Sequence, residues 1–472
     1  MQTADTQRTV TFFFEGRVFR GNEGEPIAKA LFTAGVRTLS YSVKYRRPRG
    51  IFCARGRCVA CHMSVDGVPG VPTCITPLRE GMRIEREGYQ PFYGPLATVF
   101  IRLFPFPAGF YYRMFTRPAW LQRIFLGSLR RMAGVGRLPL DNTSVSPTSG
   151  SGRNNPLPVK DAYDVVVVGS GMSGMAAALS SAHHGSEVLL VDECRLPGGH
   201  SIGHQSDTEL TSARDQLIER IKGHVAVEHR PDIVAYGFYP PNTLLLGSGG
   251  PTGMKRVSAR SFVFATGAND VVPLFENNDT PGILGERAIR LLLERDHWRP
   301  GRKAVVYGAG EALHATVSLL LHHGIEVAAA VDPTDAASAG GNRGALHGVR
   351  TFANARIRTA KGGAWIRAVE GTHAGGRERF SLACDLLCIA LPGQPAYELP
   401  HQAGFEYALS ESPIEEFEVM RPVTRFRTTG PEPARDTISF FIVGEASGDS
   451  HWRTKIEDGE RAGAQAAAAV RA

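Results

Sequence analysis

Acidic residues are missing from two long stretches of this 472-residue chain. From Arg37 to Arg57 there are seven basic residues and no acid, and from Gly88 to Leu140 seven arginines and no acid. Such charge can mark nucleic-acid contact. No nucleic-acid-binding motif accompanies it, so no nucleic acid is expected as a partner. Long apolar runs are missing too. No stretch reaches the roughly 20 uncharged apolar residues that a spanning helix needs, so no transmembrane segment is expected. The opening MQTADTQRTV lacks the apolar core of a secretory signal, which points to the cytoplasm. Cysteine is scarce outside one place, with four of the seven between Cys53 and Cys74. Without a sign of secretion, a disulfide framework is disfavoured. No Ser/His/Asp arrangement stands out, so no catalytic residue is assigned. What remains is ordinary for a globular chain, at 43% apolar residues and a net charge of +7. The length suits two to four domains.

The four clustered cysteines are Cys53, Cys58, Cys61 and Cys74, spaced C-x4-C-x2-C-x12-C. That is the spacing of a plant-type [2Fe-2S] site, in which a loop wraps one side of the cluster and a later thiolate closes it. Ala54, Gly56 and Ala60 between them let backbone amides point at the sulfurs. Structural zinc is the rival, but it favours C-x2-C pairs at both ends, and only Cys58/Cys61 makes one. Unligated thiols are the third reading. Around the loop, a strand over 8–14 with a hairpin partner over 17–20, a short helix over 26–34 and strands at 59–65 and 82–85 predict a small β-grasp unit over 1–88. Residues 89–140 hold twelve aromatics and a helix through WLQRIFLGSLRRMAG. They read as a connector, a docking face for another subunit, or a membrane-surface segment. Residues 141–159, rich in Ser, Pro, Gly and Asn, read as a linker.

A strand then opens at Asp164. Gly169, Gly171 and Gly174 form G-x-G-x-x-G after four valines and before an alanine-rich helix, with Ser170 inside the turn. The first glycine permits the turn, the second lets a pyrophosphate approach, and the third lets helix and strand close. Asp192 stands 23 residues after Gly169, placed for a ribose, with Glu193 as runner-up. Gly198 and Gly199 follow. FVFATG brings Ala265, Thr266 and Gly267 to a strand end. A second unit repeats the first 139 residues on, with Gly308, Gly310 and Asp332. Leu313 stands where its third glycine would be. Near the end, Gly444 and Glu445 follow an apolar strand. The first site fits FAD or NAD, and the second would fit NAD. No C-x2-C lies beside either unit, which argues against a dithiol mechanism. Cys194, Cys384 and Cys388 read as buried thiols.

KYRRPRGIFCARGRCVACHMSVDGVPGVPTC resembles the [2Fe-2S] modules of bacterial flavin-dependent amine and amino-acid dehydrogenases. From about Thr9 to Val470 the chain resembles the N-terminal half of the α subunit of heterotetrameric sarcosine oxidase. It is similar as well to subunits of opine oxidase, proline or hydroxyproline dehydrogenase and hydrogen cyanide synthase. The resemblance implies an α/β two-dinucleotide-binding flavoprotein with nested Rossmann-like units, preceded by the β-grasp [2Fe-2S] domain. It implies an FAD-binding domain from 160–280 and 391–472, with an NAD-binding-like domain, 281–390, inserted. Gly444-Glu445 resembles the flavin-side motif of such proteins, with Glu445 in place of the more usual Asp. The implied function is electron transfer in a heteromeric amine or amino-acid dehydrogenase whose partner flavoprotein oxidises the substrate. No folate-binding half accompanies the sequence, so formaldehyde transfer to folate is not expected. Two alternatives stay open: a self-sufficient NAD(P)H-dependent FAD/[2Fe-2S] reductase, and a nucleotide-holding scaffold without turnover.

Overall fold

In a computed structural model the described residues are 8–42, 47–87, 117–132, 157–248, 253–271, 273–334, 346–373, 375–410, 419–429, 437–448 and 451–471. Most of the expected docking stretch (89–116 and 133–140) and of the linker (141–156) lies outside them. The described residues form two compact units. One comprises those within 1–149, 272–289 and 298–390. The other comprises those within 150–271, 290–297 and 391–472.

The first unit begins with strands β1 (Thr9–Phe14) and β2 (Arg17–Asn22). Alternation sets their faces, so Val10, Phe12 and Phe14 are buried. The hairpin between them turns at Glu15 and Gly16, both at positive φ. Helix α1 (Ile27–Thr33) buries Ile27, Ala28, Ala30 and Leu31. Strands β3 (His62–Val65), β4 (Val68–Pro72) and β5 (Arg83–Arg86) complete a sheet of order β2-β1-β5-β3-β4. This is the β-grasp arrangement. The strand expected from Val59 starts only at His62, because Val59 sits at φ 53° in the cysteine loop. The Gly/Pro-bearing segment ahead of Cys74 is itself strand β4. Helix α2 (Ala119–Met132) follows, with Trp120 and Ile124 exposed.

The second unit holds the first glycine-rich motif between β6 (Ala162–Val168) and α3 (Met172–His183). Then come β7 (Val188–Val191), α4 (Thr208–Gly223), β8 (Val227–Arg230), β9 (Ile233–Tyr239), β10 (Thr243–Ser248) and β11 (Lys255–Phe264). Strands β8-β7-β6-β11 run parallel, and the late strand β20 (Ser439–Ile442) joins β11 in parallel, closing the Rossmann-like sheet.

Of the intervening chain, the described residues within 272–289 and 298–390 belong to the first unit. Its strands β12 (Ile283–Gly285), β13 (Lys303–Gly308), β14 (Glu326–Asp332), β15 (Thr351–Ala353) and β19 (Leu386–Ala390) run parallel in the order β12-β19-β13-β14-β15. Helix α5 (Gly310–His322) follows β13. Strands β16 (Arg356–Gly362), β17 (Ile366–His373) and β18 (Glu378–Ala383) form an antiparallel sheet of their own. Cys384 and Cys388 flank this return. Burial pushes the Cys384 thiol up to about 12 and that of Cys388 further still, so both are protonated, unreactive core groups.

The chain ends in α6 (Trp452–Arg471), which crosses α3. Gly459 and Gly463 make the crossing close. A Cβ at Gly459 would lie 2.2 Å from the Ser173 carbonyl oxygen, and one at Gly463 2.3 Å from that of Ala177. Gly463→Leu is therefore expected to force the two helices apart, at roughly 3 kcal/mol or more. Thermal unfolding would show it, and an unshifted midpoint would mean that the crossing yields cheaply.

Candidate cluster and dinucleotide sites

The cysteine loop reverses direction repeatedly, with Ala54, Gly56 and Val59 all at positive φ. This curls the loop so that the four thiols meet. Cys53 is hydrogen-bonded to the thiols of Cys58 and Cys74, and Cys61 to that of Cys74. These contacts hold Cys53 and Cys61 below the usual thiol range and raise Cys58 and Cys74 above it. Backbone donors turn inward as well. The Arg55 N–H lies 3.4 Å from the Cys53 sulfur, and the Gly56 N–H 3.3 Å from that of Cys74. The Thr73 hydroxyl, fully buried, donates to the Cys61 carbonyl at 2.7 Å. Among the described residues, no three His, Cys, Asp or Glu side chains are grouped as around a single metal ion. Four sulfurs with inward amides fit a [2Fe-2S] cluster.

The loop rests on the inserted dinucleotide fold of the same unit. The Gly285 N–H donates to the Phe52 carbonyl at 3.3 Å, beside the first cysteine. Phe32 is edge-on to Trp298 at 4.7 Å and to Trp365 at 5.4 Å, with the Arg37 guanidinium 3.6 Å from its ring. Arg47 and Arg49 reach Asp279 at 3.7 and 4.0 Å. These last pairs are half-exposed and contribute little; the aromatic contacts carry the attachment.

At the first dinucleotide motif Gly169 has φ 107° and lies against Ala265. A Cβ there would stand 2.2 Å from the Ala265 carbonyl oxygen, and one at Gly174 only 1.8 Å from that of Gly169. Gly171 differs, for nothing lies within 4 Å of a Cβ built on it. The turn is therefore tight on two sides and open on the third, as a cradle for pyrophosphate requires. Gly199 and Gly444 belong to the same place. A Cβ on Gly199 would be 3.1 Å from the Gly171 Cα, and one on Gly444 2.3 Å from the Ser173 hydroxyl. Thr266 and Gly267 sit one step further, tied to Ala396 by hydrogen bonds of 2.8 and 2.9 Å.

Asp192 is at the expected strand end, but the chain itself uses most of it. Its Oδ2 accepts from the Ser170 N–H at 2.5 Å and the Ser170 hydroxyl at 2.8 Å, and its Oδ1 from the Cys194 N–H at 2.7 Å. Of about four lone-pair sites on a carboxylate, one is left for a ribose, with the Glu193 carboxylate next along the chain. Glu445 is likewise engaged. Lys455 donates to its Oε1 at 2.7 Å, and His200 Nδ1 lies 3.0 Å away. His204 packs against His200, ring centroids 4.9 Å apart. Sequence reading missed His200 and Lys455; the position of His200, directly after Gly199 in the cofactor loop, was the signal. With side chains 12% and 14% exposed, Glu445 and Lys455 depend on each other. Glu445→Leu is expected to strand the lysine at a cost of about 3 kcal/mol. Adding Lys455→Met should recover most of the loss in urea unfolding; a double variant no better than the single would refute the pairing.

The second motif keeps the turn and loses the rest. A Cβ at Gly308 would meet the Ala390 carbonyl oxygen at 2.1 Å, and Gly310 is open. Leu313, however, is only 1% exposed, filling the position of the third glycine. Asp332 Oδ1 accepts from the Thr334 N–H at 2.8 Å and its hydroxyl at 2.6 Å.

Residues 7–88 match the family described as 2Fe-2S iron-sulfur cluster binding domain, and residues 164–237 that described as FAD dependent oxidoreductase. Sarcosine oxidase subunit alpha of Rhizobium meliloti is 29% identical over 430 residues, covering 85% of this chain and 41% of that protein. The chain thus spans about two fifths of that relative's length. Hydrogen cyanide synthase subunit HcnA of Pseudomonas aeruginosa is 32% identical over 78 residues, 16% of this chain and 74% of that subunit. L-proline dehydrogenase from P. horikoshii superposes with a TM-score of 0.65 at 20% identity, over 98% of this chain and 74% of that one; this likeness bears on the fold. With the thiol loop and the glycine cradle, these matches give the chain its cofactors, a [2Fe-2S] cluster and FAD, and its class, an oxidoreductase. Among the described residues no helix is long and apolar enough to cross a membrane.

Proposed function

Because the chain belongs to the family of sarcosine oxidase α subunits and their [2Fe-2S]-bearing relatives, we propose that it is the electron-transfer subunit of a heteromeric amine or amino-acid dehydrogenase. The observation that carries this reading is the joining of the four-thiol loop and the glycine cradle in one chain. FAD, when bound, accepts electrons in pairs and releases them singly, and a [2Fe-2S] cluster carries one. In this reading Cys53, Cys58, Cys61 and Cys74 hold the cluster, and the amides of Arg55 and Gly56 offset its charge. Gly169, Ser170, Gly171 and Gly174 cradle the pyrophosphate at the N-terminus of α3. Asp192 and Glu193 take the ribose, Gly199 and Ala265 to Gly267 line the cofactor's path, and Gly444 and Glu445 face the flavin end. A partner flavoprotein subunit, docking on 89–140, oxidises a substrate of the sarcosine, proline or opine type. The absence of a disulfide among the described cysteines suits a reducing cytoplasm.

Nicotinamide is a weaker source of electrons, since the buried Leu313 fills the place of the third glycine at the second motif. The test is turnover by the purified chain with an artificial acceptor, alone and co-expressed with its partner. The expected result is no amine oxidation by the chain alone and no bleaching of its flavin by NADH under anaerobic stopped flow. Amine oxidation at full rate by the chain alone would refute the reading. Rapid bleaching by NADH would replace it with the self-sufficient reductase.

A further inference from the structure

We propose that the loop from Gly198 to Ser206 is a strap across the first dinucleotide site, and that Arg214 and Glu294 are the positioning residues that hold it there for FAD. Neither residue belongs to a glycine motif. The inference needs only FAD at that site, so it stands apart from the choice of electron donor and partner.

The near end of the strap is tied to the phosphate turn. The Gly198 N–H donates to the Ser170 carbonyl at 2.8 Å, and Gly198 pairs with Gly171 in a parallel bridge. With φ 120° at Gly198 and 57° at Gly199 the chain doubles back there, as only glycine does readily. It then runs through a turn of 3-10 helix, Gly199–Gly203, and brings His200 to Glu445. The strap thus reaches from the glycine cradle to Glu445.

Arg214 supports the strap from α4. It is 7% exposed, although its ion-pair partner, the next residue Asp215, has a side chain 57% exposed. A surface arginine could meet that carboxylate in water. This one is buried against the strap instead. Its guanidinium donates to the Ser201 carbonyl at 3.2 Å, and its Cδ lies 2.9 Å from where a Cβ on Gly198 would stand. The Ser201 carbonyl also accepts the His204 N–H at 3.1 Å. It keeps a partner without the arginine, so what Arg214 adds is the position of the strap.

Glu294 holds the far end. It is 4% exposed, and its two oxygens accept the Ser206 N–H at 2.8 Å and the Ser206 hydroxyl at 2.7 Å. It stands in a π-helical turn, Leu291–Arg295, and such turns recur at functional sites. Residues 290–297 belong to the second unit, while the chain on both sides of them belongs to the first. That return delivers Glu294 to the strap. It also sets the Arg290 Cβ 2.9 Å from where a Cβ on Gly203 would stand. Burying two charged side chains against one short loop costs desolvation. A loop that merely joined β7 to α4 would not need them.

The experiment compares FAD release with unfolding in Arg214→Met, which keeps a stem beside Gly198 and drops the donor. FAD should leave the purified full chain about tenfold faster or more, read as flavin fluorescence on dilution. The unfolding midpoint of the deflavinated chain should stay within about 3 °C of the parent. Arg214→Lys, whose ammonium can still donate to the Ser201 carbonyl, should release FAD more slowly than Arg214→Met. Ser206→Ala removes one of the two bonds to Glu294 and should speed release about threefold. Release from Arg214→Met as slow as from the parent would overturn the proposal. So would a deflavinated midpoint lowered beyond that margin, which would make the arginine part of the framework, or a lysine variant no better than the methionine one. None of these readouts involves an amine, a partner or the cluster. The strap can therefore fail while the electron-transfer reading stands, and the reverse.

Discussion

Cys74→Ser is expected to leave the chain without its [2Fe-2S] spectrum. Cys74 is 3% exposed, meets two other thiols of the loop, and takes the Gly56 N–H on its sulfur. A serine oxygen is harder, shorter by the difference in bond length, and far less acidic than a thiol, so it is a poor replacement for a thiolate ligand. Iron and acid-labile sulfide should fall close to zero in the anaerobically purified Cys74→Ser chain, and the reduced-state resonance should vanish. FAD content should stay near that of the parent, because the flavin motif belongs to the other unit. Cys194→Ser and Cys384→Ser are the controls and should keep the full spectrum. An unshifted spectrum with full iron in Cys74→Ser would remove this residue from the ligand set.

The second large effect separates two glycines three residues apart. Gly174→Ala drives a methyl into the Gly169 carbonyl, a backbone atom 1.8 Å from the built Cβ. Neither helix nor turn can give way cheaply, so stability should drop by about 3 kcal/mol and FAD should be lost with it. Gly171→Ala meets nothing, and its φ of −67° suits any residue. That variant should fold with an unchanged midpoint yet bind FAD at least about a hundredfold more weakly, since its methyl points to where pyrophosphate would approach. Fluorescence titration of the deflavinated chain alongside calorimetric unfolding reads both quantities. If Gly171→Ala kept full affinity, the open side of the turn would not be the phosphate side.

Much of this was legible in the sequence because the motifs are local. The four cysteines lie within 22 residues, and their spacing alone implies a loop. The valine run before Gly169 and the alanine run after it announce strand and helix by burial. The duplication at Gly308 announced the inserted fold. What could not be read is long-range. Asp192 looked like a ribose acceptor from its distance to Gly169, and only the fold shows that Ser170 and Cys194 hold it. Lys455 lies in a helix whose sequence shows no reason for a lysine; its partner Glu445 precedes that helix, and the pairing depends on how the chain reverses between them. Glycine and two prolines disguise the strand VPGVP, since such residues are rare inside strands, and only the pairing with β3 reveals it. Positive φ at Val59 was invisible, since nothing in a valine announces it.

The seat of the cysteine loop also sets the order of biosynthesis. Its supports, Asp279, Gly285, Trp298 and Trp365, lie between about 200 and 290 residues beyond Cys74 along the chain. At roughly 5–20 residues per second, the ribosome needs about 10 to 60 s to deliver them after the last thiol has emerged. During that interval the nascent β-grasp unit has no inserted fold to rest on, and its thiols are open to oxidation and to stray metal. Insertion of iron and sulfide is therefore best timed after release, and cells starved of the assembly machinery should accumulate a full-length polypeptide that keeps its flavin absorption and lacks that of the cluster, rather than truncated fragments.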